Sequence, residues 1–388
     1  MSKINWNKIR EDFEVTKNNI FFLSAGMSPL LKITYDAILE EYNKLYKYGE
    51  INWKEDYKKY TLLCKDIALL LNTNEDDITF VQNTSLAMSM VALAMKNKLG
   101  DNFNIVSMQD EFPSSTVPFE YQRISMRYVQ PIQSRYLIDS ILDLIDAKTA
   151  AVVTSYVQYS TGFKQDILKL GKALKERNLI FIVNATQAFP YYLVDVKEAG
   201  ISVLTASLHK WGLCGHIGTL FYTSKEFRQK FPSLIAGWLS IDTEEKGFIH
   251  TEKNAPFKLY DSAKQYNLGS FNIQTLLAFQ KSLNYIKSIG IANIQKRIVN
   301  LTDYLIKKLQ RFGVKIVTPT ENIEERAAIV SFILDNNKHE EFIRKCFENK
   351  VIITQRNGLI RVSLNIFNDY NDIDVLINLL EKYFNGDL

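Results

Sequence analysis

The sequence predicts an α/β protein: a mostly parallel central sheet with helices on both faces, joined to a smaller α+β C-terminal domain. Three observations predict it. Short apolar runs alternate with stretches of helical period through the first two-thirds of the chain. The texture changes after about Gly269, where two long helices come in succession. The length of 388 residues exceeds one ordinary domain of ~100–200 residues, and 46% hydrophobic with 23% charged residues is an average globular composition, which excludes disorder.

In chain order, Asp77–Val81 reads as a strand and Leu86–Lys98 as a helix opened by Thr84 or Ser85. Asn104–Met108 and Ala150–Ser155 read as strands, the second followed by the amphipathic helix Ile167–Arg177. Leu179–Val183, Val203–Ala206 and Thr219–Tyr222 continue the strand series. Strands alternating with helices imply crossover connections and a sheet covered on both faces. Beyond Gly269 the periodicity predicts helices over Ile273–Ile289 and Asn293–Phe312, parted near Gly290. Strands Lys315–Val317 and Ala328–Leu334, helix His339–Asn349, strands Val351–Thr354 and Leu359–Leu364, and helix Ile373–Phe384 complete the smaller domain.

Composition narrows the function classes. The 47 basic and 43 acidic residues leave a formal charge of +4 with no Lys/Arg stripe, so nucleic acid is not expected as a partner. Met1–Val15 is charged and lacks the apolar core of a signal peptide. No apolar run is long enough to span a bilayer, and the expected compartment is a reducing cytoplasm. Cys64, Cys214 and Cys346 form no CxxC, which supports neither a disulfide framework nor a thiolate zinc site. The histidines His209, His216, His250 and His339 form no HExxH pair, so no metal is expected.

In a parallel α/β sheet the ligand lies beyond the carboxyl ends of the strands. Five strand ends in succession carry polar residues: Gln82-Asn83-Thr84-Ser85, Glu111-Phe112-Pro113-Ser114, Gln158-Tyr159-Ser160-Thr161-Gly162, Asn184-Ala185-Thr186-Gln187 and Ser207-Leu208-His209-Lys210-Trp211. Each has an ordinary reading alone: a helix cap at Thr84 or Ser85, a core ring at Phe112, a turn amide at Gln187, a surface lysine at Lys210. Their order and spacing together point to a site.

These segments, with Ser155-Tyr156-Val157-Gln158-Tyr159-Ser160-Thr161-Gly162 and Ile360-Arg361-Val362-Ser363, resemble the class V aminotransferase family of fold-type I pyridoxal-phosphate (PLP) enzymes. The likeness runs from about Phe21 to about Leu379 and leans toward the isopenicillin N epimerase-like and cysteine desulfurase-like branch. It implies an N-terminal segment 1–20 packing with the small domain, a large PLP-binding domain over 21–268 and a small domain over 269–388. It implies that Lys210 is the Schiff-base lysine, since an amine is needed to form an imine with the cofactor aldehyde and to move the substrate Cα proton. Thr84 and Ser85, at a helix N-terminus that attracts anions, would hold the phosphate with Ser207 and His209. Ser270 would reach the phosphate of a neighbouring subunit, which implies a homodimer with shared active sites. Phe112 matches the aromatic stacked on the ring, and Gln158 and Gln187 match amides near the ring hydroxyl. Arg361 matches the arginine that pairs with the substrate carboxylate. Arg356 is a second candidate for substrate contact, or a surface arginine.

Two departures bear on the reaction. The family usually places an aspartate at the position of Asn184, where it keeps the pyridine nitrogen protonated and the ring an electron sink. Asparagine is neutral, which disfavours ordinary transamination. Desulfurases carry a nucleophilic cysteine on a loop before the Arg361 segment, whereas Gln355-Arg356-Asn357-Gly358 has none. The resemblance therefore implies a PLP enzyme acting on an amino acid or related amine. Transamination, epimerisation and C–S or C–C lyase chemistry stay open, and so does a non-catalytic PLP-binding homologue.

Overall fold

The computed structural model describes residues 4–50, 53–242, 258–334 and 338–388. Its central sheet has seven strands: β1 Ile78–Val81, β2 Asn104–Met108, β3 Ser125–Val129, β4 Thr149–Ser155, β5 Ile180–Asn184, β6 Val203–Ser207 and β7 Thr219–Thr223. Their order across the sheet is β3-β2-β4-β5-β6-β7-β1. Strands β3 to β6 pair in parallel, and β7 runs antiparallel to both of its neighbours.

The strands read as continuous apolar runs because both faces are buried. Val106, Val152, Phe181, Val183 and Leu204 enter one core cluster, and their chain neighbours Ile105, Ala151, Val153, Ile182 and Val203 enter the other. This is the two-residue alternation of a pleated strand. Helices Trp53–Leu71, Ile167–Lys175 and Ile273–Ile289 cover the first face through Leu63, Ile67, Leu170, Leu174, Phe279 and Leu283. Helix Thr84–Leu99 covers the second through Met88, Val91 and Met95.

The helix expected to open at Thr84 or Ser85 is capped one residue earlier. Asn83 keeps an extended backbone while its side-chain oxygen accepts from the Leu86 N–H at 2.8 Å, and Thr84 is already helical. Strand β3 escapes the sequence pattern because it is an edge strand, with only Val129 buried.

A second sheet follows, of β8 Lys315–Ile316, β9 Ile329–Ile333, β10 Thr354–Arg356 and β11 Leu359–Ser363, antiparallel in the order β8-β9-β11-β10. Leu301, Leu305, Val330, Phe332, Ile360, Val362 and Leu376 fill its core, under helices Ile291–Gln310, His339–Glu348 and Tyr370–Asn385. The single strand expected over Val351–Thr354 is two pieces. Val351–Ile352 pairs in parallel with Ile20–Phe21, while Thr354 begins a hairpin with β11. That hairpin turns on Asn357-Gly358, both at positive φ (49° and 71°), as a two-residue connection of twisted strands requires. The helix expected from Asn293 starts at Ile291, directly after Gly290.

Packing crosses residue 269: helix Ile273–Ile289 joins the large core, not that of the second sheet. Residues before 20 touch the C-terminal part of the chain. Arg10 bonds Asp372 at 2.7 and 2.8 Å, and the Phe13 and Phe367 rings lie 4.7 Å apart. Among the described residues no helix is long and apolar enough to cross a membrane, and no cluster of three His, Cys, Asp or Glu side chains is placed to hold a metal. His250 lies outside those residues.

Candidate active site

Crossover topology brings the carboxyl ends of the parallel strands together. Because β7 runs the other way, its first residue, Thr219, lies at this same end. A cavity of about 170 Å³ opens there. Of the residues singled out from sequence, Thr84, Ser85, Phe112, Asn184, Gln187, Ser207, His209 and Lys210 line it. Gln158 and Arg361 are buried but outside the lining, and Arg356 and Ser270 are exposed and outside it.

One wall is made of hydroxyls. Thr84 Oγ1 lies 2.8 Å from Ser207 Oγ, and Thr219 Oγ1 lies 3.2 Å from Ser207 Oγ. They sit at the N-terminus of helix Thr84–Leu99, where first-turn N–H groups have no partner within the helix and the dipole favours negative charge.

Lys210 follows β6 and is buried, with its Nζ 5.5 Å from the Phe112 ring centre. No carboxylate is among the residues lining the cavity. Burial first, then the positive charges of Arg361 and Arg356, bring the Lys210 ammonium down to about 7. His209 is pushed down to about 4 by burial, Lys210 and His216, so its imidazole is neutral at neutral pH. Phe112 meets Tyr159 edge to face at 5.2 Å, and both rings line the cavity.

Arg361 is fully buried, yet among the described residues only one of its nitrogens has a partner. Nη1 donates to the Tyr159 carbonyl at 2.8 Å, while Nε and Nη2 have none. Burial and Arg356 lower it to about 10. Arg356 folds its guanidinium back onto the Gln355 carbonyl at 2.9 Å.

The amides are held from behind. Gln187 Nε2 donates to the Ala25 carbonyl at 2.9 Å, and its oxygen accepts from Trp211 Nε1 at 3.0 Å. Gln158 Nε2 donates to Glu111 at 2.9 Å, leaving Gln158 Oε1 buried without a partner. Glu111 is buried without a cation and accepts from the Ser155 N–H and hydroxyl, both at 2.5 Å. Burial raises its pKa, and these donors oppose that rise. Asn184 donates from Nδ2 to Ser115 Oγ at 2.9 Å and accepts at Oδ1 from the Thr186 N–H at 3.0 Å. Thr186 Oγ1 in turn accepts from the Ser207 N–H.

Ser115, Thr186, Tyr159, Trp211 and Thr219 went unassigned in the sequence, as did a role for Glu111. Glu111, Tyr159, Thr186 and Trp211 do fall in the polar segments at strand ends, which is the local signal the sequence carries for them. The rest meet only through tertiary contacts. The three cysteines are all buried and none lines the cavity; Cys214 donates to the Leu208 carbonyl, and burial holds its thiol well above the usual range.

The model of the family described as Aminotransferase class-V matches residues 20–376. A probable cysteine desulfurase of Pyrococcus abyssi is 26% identical over 404 residues, covering 96% of each chain. The apo structure of a cysteine desulfurase from Thermococcus onnurineus NA1 superposes with a TM-score of 0.88 at 21% identity, covering 100% of both chains. The cystine C-S lyase C-DES, solved with its reaction product cysteine persulfide, gives a TM-score of 0.84 at 17% identity, covering 95% of this chain and 98% of that one.

Proposed function

The chain belongs to the class V aminotransferase family, and from that premise we propose that it is a PLP-dependent lyase that eliminates a sulfur leaving group from Cβ of an amino acid. The observation that carries the reading is a pair of buried basic groups: Lys210, which lines the cavity and is brought to about 7, and Arg361, which lies outside the lining, acts on Lys210 through its charge and has two nitrogens open. The donor set fits the cofactor, pyridoxal 5'-phosphate. Thr84, Ser85, Ser207 and the helix N-terminus would hold its phosphate, His209 would flank them, and Phe112 would cover the ring. Gln158, Gln187 and Asn184 would surround the ring's polar edge. When bound, the cofactor withdraws electrons from the substrate nitrogen and so acidifies the bonds at Cα.

The chain's own residues supply the rest. Arg361 would grip the substrate carboxylate through Nε and Nη2, a planar fork matched to two oxygens. Lys210 can be neutral near pH 7, so its amine would be able to hold the cofactor aldehyde and, once released from it, to take up the Cα proton. Phe112 can cover the reacting atoms but cannot carry a proton. The cysteine positions favour direct release of sulfur over its transfer to an enzyme thiol, because no thiol lines the cavity. Overall, amino acid plus water gives a 2-keto acid, ammonia and the freed thiol. Two copies are proposed to complete the site. Ser270 is exposed, and helix Lys32–Tyr48 buries only Thr34 while exposing Ile33, Leu39, Tyr42 and Tyr46.

The test is a panel of amino acids with and without a sulfur substituent at Cβ, given to the holoenzyme without any keto-acid acceptor. The expected result is keto acid, ammonia and thiol in equal amounts from the sulfur compounds alone. Consumption that needs an added 2-keto acid would instead establish amino-group transfer.

A further inference from the structure

We propose that Ser115 and Thr186 are positioning residues that fix the Asn184 side chain as a hydrogen-bond donor toward the cofactor, so that the site selects an unprotonated ring nitrogen. The inference rests on the cofactor assignment above, but not on which bond of the substrate is broken.

An asparagine amide offers two different ends, and their assignment decides what it recognises. Here a backbone group resolves it. The Thr186 N–H can only donate, so the atom facing it at 3.0 Å is the Asn184 oxygen. The other end is then the NH2 group, which meets Ser115 Oγ at 2.9 Å. Ser115 is itself buried in the first turn of helix Pro113–Tyr121, so this acceptor is fixed by the fold and not by a mobile surface group.

The NH2 group carries two hydrogens, and Ser115 takes one. Asn184 lines the cavity, and among the described residues its Nδ2 has no hydrogen-bond partner besides Ser115 Oγ. The amide oxygen is turned toward the β5–β6 connection. A second N–H is thus left for whatever occupies the cavity. A donor stabilises a nitrogen lone pair and opposes a nitrogen that already bears a proton. Among the described residues no carboxylate lines the cavity to supply the opposite preference. The buried Glu111 is engaged by Ser155 and Gln158.

The experiment loads the protein with PLP labelled with 15N in its ring and reads the nitrogen resonance, with no turnover required. The wild-type resonance is expected in the range of an unprotonated, hydrogen-bonded pyridine from pH 6 to 8. Asn184→Asp should move it to the pyridinium range. Ser115→Ala should leave it unprotonated but shift it toward free pyridine, with roughly fivefold weaker cofactor binding from the lost hydrogen bond. A pyridinium resonance in the wild type would overturn the proposal. So would a Ser115→Ala resonance identical to wild type, which would make Ser115 merely structural. If the nitrogen is unprotonated and the panel nevertheless shows amino-group transfer, the lyase reading fails and the positioning role stands.

Discussion

Two buried arginines sit in opposite circumstances. Arg228 has all three nitrogens engaged: Nε donates to the Asp261 carbonyl at 2.9 Å, Nη1 to Thr223, and Nη2 to Asp77 at 2.8 Å. Arg361 is buried to a similar degree, yet among the described residues it makes one bond, to a backbone carbonyl. Nothing in the residue type separates them. The difference teaches that a folding role closes the valences of a buried cation inside the chain, while valences left open carry a desolvation cost to the free protein, as the proposed carboxylate-binding role of Arg361 requires.

The comparison makes predictions of decreasing size. Arg228→Met leaves Asp77 buried without its cation and should cost about 3–5 kcal/mol of stability. Arg361→Met removes a charge without an ionic partner and should cost well under half of that. Urea unfolding of the cofactor-free proteins checks both, and equal losses would break the contrast.

The second concerns binding. If the open nitrogens of Arg361 take a carboxylate, Arg361→Met should raise KM for an amino acid roughly 10- to 100-fold, the worth of a charge-assisted pair. It should leave KM for the matching amine without a carboxylate unchanged. An equal rise for both compounds would assign Arg361 to the fold.

The third uses Lys210, on which the Arg361 charge acts. The folded-state pKa is about 7 against 10.5 for an ordinary lysine. Between those values the unfolded chain binds more protons than the folded one. Stability of the cofactor-free protein should therefore rise with pH across this window, by at most about 1.4 kcal/mol per unit. Subtracting the pH profile of Lys210→Met isolates this slope from the tyrosines and cysteines. In Arg361→Met the lower edge of the window should move up, because a neighbouring positive charge is gone. A Lys210→Met profile parallel to wild type would show that the amine is not held near neutrality.

Much of this arrangement is legible in the sequence. Strands such as Asn104–Met108 and Val203–Ala206 are dense in apolar residues because both faces are buried, so composition alone marks them. Strand β3, Ser-Met-Arg-Tyr-Val, is an edge with one buried residue, and its pattern carries no such mark. Lys210, Asn184 and Gln187 could be picked out because a parallel sheet gathers strand ends at its carboxyl edge. Ser115 could not, since its relevance depends on a contact 69 residues away in the chain. Nor could the open valences of Arg361, because what an arginine leaves unbonded is a property of the packed structure. Asn83 shows a local failure: three polar residues in a row each suit a cap, and only backbone geometry chooses among them.

The hydroxyl wall has a consequence for how the protein is made. Thr84 and Ser207 touch in space but are 123 residues apart in sequence. Strand β1, which leads into Thr84, pairs only with β7, the last strand of its sheet to be translated. At about 5–20 residues per second, on the order of ten seconds separate the two as they leave the ribosome. Through that interval the apolar Ile-Thr-Phe-Val strand is synthesised but has no neighbour. The cradle proposed for the anion is therefore among the last features of the central sheet to exist on a nascent chain, and truncated products ending before Thr219 lack it.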